Sequence, residues 1–176
     1  MILEKQVCEG EPGGGKPVLD FSPGRLTVMV VFTTVEGTLA ALESAARLAK
    51  NLLADIKLVI VEEVYFRYPL NCPPVSAVFL HRLCTALIQG AYLDPDEVRV
   101  EIRYCRDRVK CLEDCLRERS LVVIGAKRRG WVRPERRIHT ALARQGHDVV
   151  LIREHSSLVE TRRRFVINSL IDSSNV

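Results

Sequence analysis

Five short apolar runs, separated by stretches of helical spacing, limit the possible folds of this chain more than any other feature. Residues 25–32 hold Leu26, Val28, Met29, Val30, Val31 and Phe32 in near succession, and residues 56–64 read Ile-Lys-Leu-Val-Ile-Val-Glu-Glu-Val. Runs this rich in β-branched residues are strands buried on both faces. Residues 97–104 alternate instead, with Val98, Val100, Ile102 and Tyr104 set against Arg99, Glu101 and Arg103. That pattern predicts a half-exposed strand at a sheet edge. Leu121–Ile124 and Val149–Ile152 complete the set. Between the runs, apolar residues recur at helical intervals: Leu39, Leu42, Ala46, Ala49 and Leu53 within 38–54, then a segment from about 75 to 89, then Val109, Leu112 and Leu116, then Ile138, Ala141 and Leu142. Residues 33–37 read as a turn. Pro73 and Pro74 precede the second helix and Gly90 ends it; Gly146 is the C-cap of the last. The order βαβαβαβαβ predicts a parallel sheet with helices on both faces, an α/β three-layer sandwich.

At 176 residues the chain is long enough for one domain with tails. Residues 1–24, with Gly10-Glu-Pro-Gly-Gly-Gly-Lys-Pro17 and Ser22-Pro-Gly24, read as a flexible leader. The domain spans 25–153. A polar tail covers 154–176, and its middle, 162–171, is suited to adding a strand or docking on a partner. The N-terminus has no charged segment followed by an apolar one, and no apolar run approaches the ~18 residues of a membrane span. A cytoplasmic protein without a membrane contact is expected, and its six scattered cysteines then stay reduced. The net charge of +4 permits anionic ligands but does not by itself point to nucleic acid, because acidic residues are nearly as numerous as basic ones.

Function is most legible in Leu121-Val-Val-Ile-Gly125-Ala-Lys-Arg-Arg-Gly130-Trp-Val-Arg-Pro-Glu-Arg-Arg137. A strand ends at a glycine, a basic loop follows, and a helix comes next. This is how α/β proteins present anion-binding backbone at the carboxyl edge of a sheet. Together with Val28-Met-Val-Val-Phe32-Thr-Thr34, the helix Leu39–Ala49 and the closing segment Ile138–Ile152, the stretch resembles the universal stress protein family over about residues 25–153. The resemblance implies a five-stranded parallel sheet in the order 3-2-1-4-5, of the adenine nucleotide alpha-hydrolase-like kind. It also implies a homodimer paired through the last strand. In the nucleotide-binding branch of that family, ATP is held by an Asp after the first strand, by a loop of pattern G-x2-G-x9-G-[S/T] after the fourth, and by backbone near the end of the second.

This chain departs from that pattern. The Asp position falls on Thr33. Gly125 matches the first loop glycine, but Arg128 stands where the second belongs, and the closing Gly-[S/T] falls on Ile138-His139, or on Glu135-Arg136 when the closing helices are aligned. Glycines turn backbone N–H groups toward phosphates with no Cβ in the way, and Arg128 narrows those options. The favoured reading is a non-catalytic, dimeric regulatory protein of stress-protein type, with no cofactor and no standard ATP binding. The alternative is an atypical site for ATP or AMP, with Thr33, Gly125, Lys127, Arg128 and Gly130 nearest the phosphates and ribose and side-chain cations in place of backbone donors. In a third reading the basic loop is a patch for a protein partner, with nucleic acid the less favoured occupant. Trp131 suits stacking on a base or packing on a surface.

Other signals are weaker. Gly10-x4-Gly15-Lys16 approaches a phosphate-binding loop, but Pro17 stands where a hydroxyl should ligate magnesium. Cys111 and Cys115 share a helix face and read as core-filling thiols ahead of a metal or redox pair. No catalytic constellation is expected: Glu62 and Glu63 are adjacent on a strand and face opposite ways. No metal site is expected either.

Overall fold

The structure, a computed structural model, describes residues 3–7, 26–116, 120–126, 133–153 and 158–172. The strands are β1 (Leu3–Val7), β2 (Thr27–Val31), β3 (Asp55–Glu63), β4 (Val98–Cys105), β5 (Leu121–Ala126) and β6 (Asp148–Arg153). The helices are α1 (Val35–Leu52), α2 (Ala77–Gly90), α3 (Arg108–Cys115), α4 (Arg133–Arg144) and α5 (Leu158–Asp172). All strand pairs are parallel, in the order β1-β4-β3-β2-β5-β6. The five strands read from the sequence therefore stand in the order 3-2-1-4-5, counted from β2, with helices covering both faces.

Chain connectivity divides the core in two. Successive right-handed crossovers place α1 and α2 over one face and α3 and α4 over the other. Val28, Val30, Leu58, Ile60, Val100 and Ile102 pack under α1 and α2. Met29, Val31, Val59, Val61, Val122 and Ile124 pack under α3 and α4. Alternate residues of the same strands thus feed opposite cores, which is why the middle of β2, β3 and β5 is apolar on consecutive residues, as in Val28–Val31, Leu58–Val61 and Val122–Ile124.

Several sequence expectations are corrected. The sheet gains a sixth strand, because Leu3–Val7 of the expected leader pairs with Val100–Tyr104. β4 is consequently internal, and its polar face is covered: Glu101 is 1% exposed. Lys57 and Arg103 both form ion pairs with Glu101. The alternation that suggested an edge strand reflects this covered charge cluster. Helix α1 starts at Val35 within the expected turn, because the Thr34 hydroxyl accepts from Gly37 N at 3.1 Å and caps it. Gly90 is the last residue of α2, not a residue beyond it, and its missing side chain serves packing. A Cβ there would stand 3.1 Å from Leu39 Cδ2 and 3.2 Å from Val166 Cγ2. Gly146, with φ of 88°, does terminate α4 as expected.

The tail forms neither a strand nor a segment reserved for a partner. It is helix α5, and it packs against α1 and α2 of its own chain. Val166 is fully buried there. Arg163 pairs with Glu36 at 2.8 Å, and Arg162 pairs with Glu43 and stacks on the Tyr92 ring, 4.7 Å from its centroid.

Candidate functional site at the carboxyl edge of the sheet

In an open parallel sheet, ligands bind outside the carboxyl ends of the strands where the winding direction reverses. Here that point lies between β2 and β5. Thr33, just past β2, donates its hydroxyl to the carbonyl of Gly125 at 2.7 Å. Its backbone N–H donates to Thr38 Oγ1 at 3.2 Å, within the first turns of α1. The start of α1 also presses directly on β5. A Cβ built at Gly125 would lie 1.8 Å from the Gly37 carbonyl oxygen, and one at Gly37 would lie 2.9 Å from the Gly125 oxygen. Gly125 is therefore required for a close approach of two backbones inside the protein. The structure brings together two of the sequence-derived site residues, Thr33 and Gly125, and joins them to each other. Lys127, Arg128 and Gly130 lie outside the described residues, as do Trp131 and the segment Gly10–Pro17.

Beside this point, an arginine missed in the sequence reaches across the strand ends. Arg108, the first residue of α3, donates to the carbonyl of Phe32. Its Nε is buried and has no hydrogen-bond partner. Burial pulls the Arg108 guanidinium below its ordinary range, against the opposing attraction of Glu62 and, more weakly, Cys105, Glu63 and Glu135. Burial likewise pushes the Glu62 carboxyl up, with Arg108 opposing and Glu63 reinforcing the shift. Two half-buried groups of opposite charge, Arg108 and Glu62, thus meet at the carboxyl ends of β2 and β3.

Two clefts open on the α3–α4 side of this pair. The upper one, about 310 Å³, is lined by Glu63, Arg106, Arg108, Val109, Arg137 and Ile138, with Asp107 at its rim. The lower one, about 450 Å³, runs between the two helices and is lined by Val109, Arg136, Arg137, Thr140, Ala141 and Arg144. They share Val109 and Arg137, so they form one groove. Asp107 is engaged in the fold: its Oδ1 accepts from Val109 N at 2.9 Å and Lys110 N at 3.1 Å, capping α3.

Arg106 has a second task. It donates to the carbonyls of Val64, Tyr65 and Tyr68 at 2.8, 2.7 and 3.0 Å, and its guanidinium lies 5.0 Å from the Phe66 ring centroid. The loop after β3 is thereby tied to the cleft, while Phe66 and Tyr65 remain 86% and 69% exposed. Sequence reading missed Arg106, Arg108 and Arg144. The Arg106-Asp-Arg108 triplet directly after a strand was the available signal, since such positions face the ligand edge of this architecture.

The thiols and histidines form no site among the described residues, where no group of three or more His, Cys, Asp or Glu side chains is placed to hold a metal. Cys111 is buried and Cys115 half-buried, against the sheet. The hydrogen bond with Cys111, then burial, push the Cys115 thiol far up, away from the thiolate that redox chemistry needs. Cys84, on the buried face of α2, is pushed up to about 12 by burial. His147 accepts a hydrogen bond from Ser120 N at 3.2 Å through Nδ1, linking the starts of β5 and β6. No helix among the described residues is long and apolar enough to cross a membrane.

No protein-family model matches the chain, and no curated protein does. Among solved structures, it is similar to a universal stress protein in complex with cAMP, with a TM-score of 0.48 and 17% identity over 75% of this chain and 98% of that one.

Proposed function

We propose that this chain is a non-catalytic, homodimeric regulatory protein of universal stress protein type that works in the cytoplasm without standard ATP binding. The observation that carries this reading is the closed switch point. The Thr33 hydroxyl, which replaces the family's carboxylate, is committed to the Gly125 carbonyl at 2.7 Å. Gly125 has its Cβ space filled by Gly37. Arg108 and Glu62 take the neighbouring space at the ends of β2 and β3. These internal contacts occupy groups at the switch point that a nucleotide would otherwise use, which supports a reading without standard ATP binding. The absence of a nucleophile–base pair at the groove, among the described residues, supports a role without turnover.

The dimer part of the proposal rests on β6. Its outer edge has no strand partner among the described residues. Val149, Val150, Leu151 and Ile152 are only partly covered along it. An open edge of this kind is a template for a second chain.

Thermal shift with ATP, AMP and cyclic nucleotides tests the proposal. A ligand at 100 times its Kd stabilises by about 2.7 kcal/mol, which is readily seen. We expect no shift with any of them. A shift that Arg128→Ala abolishes would overturn the proposal in favour of an arginine-held nucleotide.

A further inference from the structure

We propose that the groove between α3 and α4 is a track for single-stranded nucleic acid, with the Tyr65–Phe66 loop as its stacking platform. The inference stands independently of the function proposed above, since it uses neither the switch point nor the β6 edge.

Charge within the groove is distributed very differently from charge in the chain as a whole. Arg106, Arg108 and Arg137 line its upper part, against Glu63 and the capping Asp107. Arg136, Arg137 and Arg144 line its lower part with Thr140, Val109 and Ala141, and no carboxylate is among those residues. Arg137, Thr140, Ala141 and Arg144 fall at i, i+3, i+4 and i+7 and so form one stripe along α4. The stripe spans about 10 Å at 1.5 Å per residue, longer than one phosphate group and suited to a chain of them. Arg106 and Arg108 are engaged with backbone carbonyls, so the phosphate contacts fall to Arg136, Arg137 and Arg144, whose planar forks bond phosphate oxygens in pairs.

The aromatic loop decides between polyanions. Phe66 has Arg106 over its ring, 5.0 Å from the centroid, and is 86% exposed. A ring backed by a guanidinium and open on its other side is a surface on which a base stacks. Three hydrogen bonds from the same arginine fix the loop that carries it. Arg106 also lines the groove, so platform and cationic track meet at one residue. Proteins that bind single strands combine these two features, while an acidic peptide makes no use of the flat aromatic face. Duplexes keep their bases stacked and unavailable to it.

The test is fluorescence anisotropy of the full chain with a short labelled oligouridylate, a hairpin duplex of similar length, and a polyglutamate peptide. We expect the single strand to bind at low salt and to bind more tightly than the duplex. Log K should fall with log salt by ~0.7 per phosphate neutralised. Phe66→Ala should weaken binding about tenfold, the lower part of the range for losing one stacked base. Arg137→Ala and Arg144→Ala should each reduce the salt slope by ~0.7. Phe66 and Arg144 are exposed, so circular dichroism should show both variants folded. Lack of binding at low salt would overturn the proposal. So would binding that ignores Phe66→Ala and both arginine variants, or polyglutamate that binds as tightly as RNA and displaces it.

Discussion

Two residues show how a site's chemistry passes into the architecture. From the sequence, Gly125 is expected to be a phosphate-binding glycine, yet the atom that excludes a side chain there is the protein's own Gly37 oxygen, 1.8 Å from a built Cβ. Gly125→Ala must therefore move α1 against β5, and overpacking against backbone has no side chain to yield. We expect a loss of more than about 3 kcal/mol in urea unfolding, and a change below 1 kcal/mol would show the contact to be soft. Glu101 is the second case. Burial pushes its carboxyl up, but Lys57 and Arg103 outweigh this and hold it below the ordinary value of 4.5. A folded pKa below the unfolded one gives stability that is present above 4.5 and lost as the pH falls below it. Glu101→Gln leaves two partly covered cations without their anion. We expect about 3 kcal/mol of destabilisation at neutral pH and a flatter stability profile on acidification below the ordinary value of 4.5. An unaltered acid profile would mean that other carboxylates govern acid unfolding.

At the scale of elements, α5 and β1 are the additions that the sequence did not announce. Among its described side chains, helix α5 is attached through the fully buried Val166 and through arginines paired with acidic residues of α1. These pairs are partly covered, with Glu36 buried and Arg162 and Glu43 half-buried, so they act together with the apolar contact in holding the helix. Truncating Val166 to alanine removes two buried methyl groups, about 1.6 kcal/mol at 0.8 per group. In hydrogen exchange, Val166→Ala should raise exchange in α5 while leaving β2 and β3 protected. Uniform acceleration across the sheet would show that α5 is integral to the global fold. The five central strands and four helices were readable because period-2 and period-3.6 patterns are written locally. β1 was not: five residues with mixed polarity become a strand only when an edge stands ready to receive them.

For the whole molecule, the open question is pairing through β6. Among the described residues its outer edge has no strand partner, and Val149–Ile152 are partly covered, which is the basis of the dimer proposed above. Light scattering after size exclusion should report a dimer, and Val150→Arg, at a half-exposed position of that edge strand outside both core clusters, should convert it to a monomer with an unchanged circular dichroism spectrum. A wild-type monomer, or a dimer untouched by the substitution, would place the interface elsewhere or remove it. The same scale explains why the groove escaped notice. A net charge of +4 averages over the chain, whereas five arginines come to line the two clefts only after folding.

By itself, the sequence determined the repeating strand–helix alternation, and with it the parallel sheet, the two helical layers and the edge at which a ligand would sit. Those follow from periodicity and handedness, which act over a few neighbouring residues. Tertiary structure decided what occupies that edge. Thr33 and Gly125 are 92 residues apart and meet only because β2 and β5 pair. Arg108 reaches the Phe32 carbonyl from 76 residues away. Whether a glycine serves a phosphate or a crossing backbone, and whether an arginine faces solvent or a groove, depends on neighbours that only the folded chain supplies.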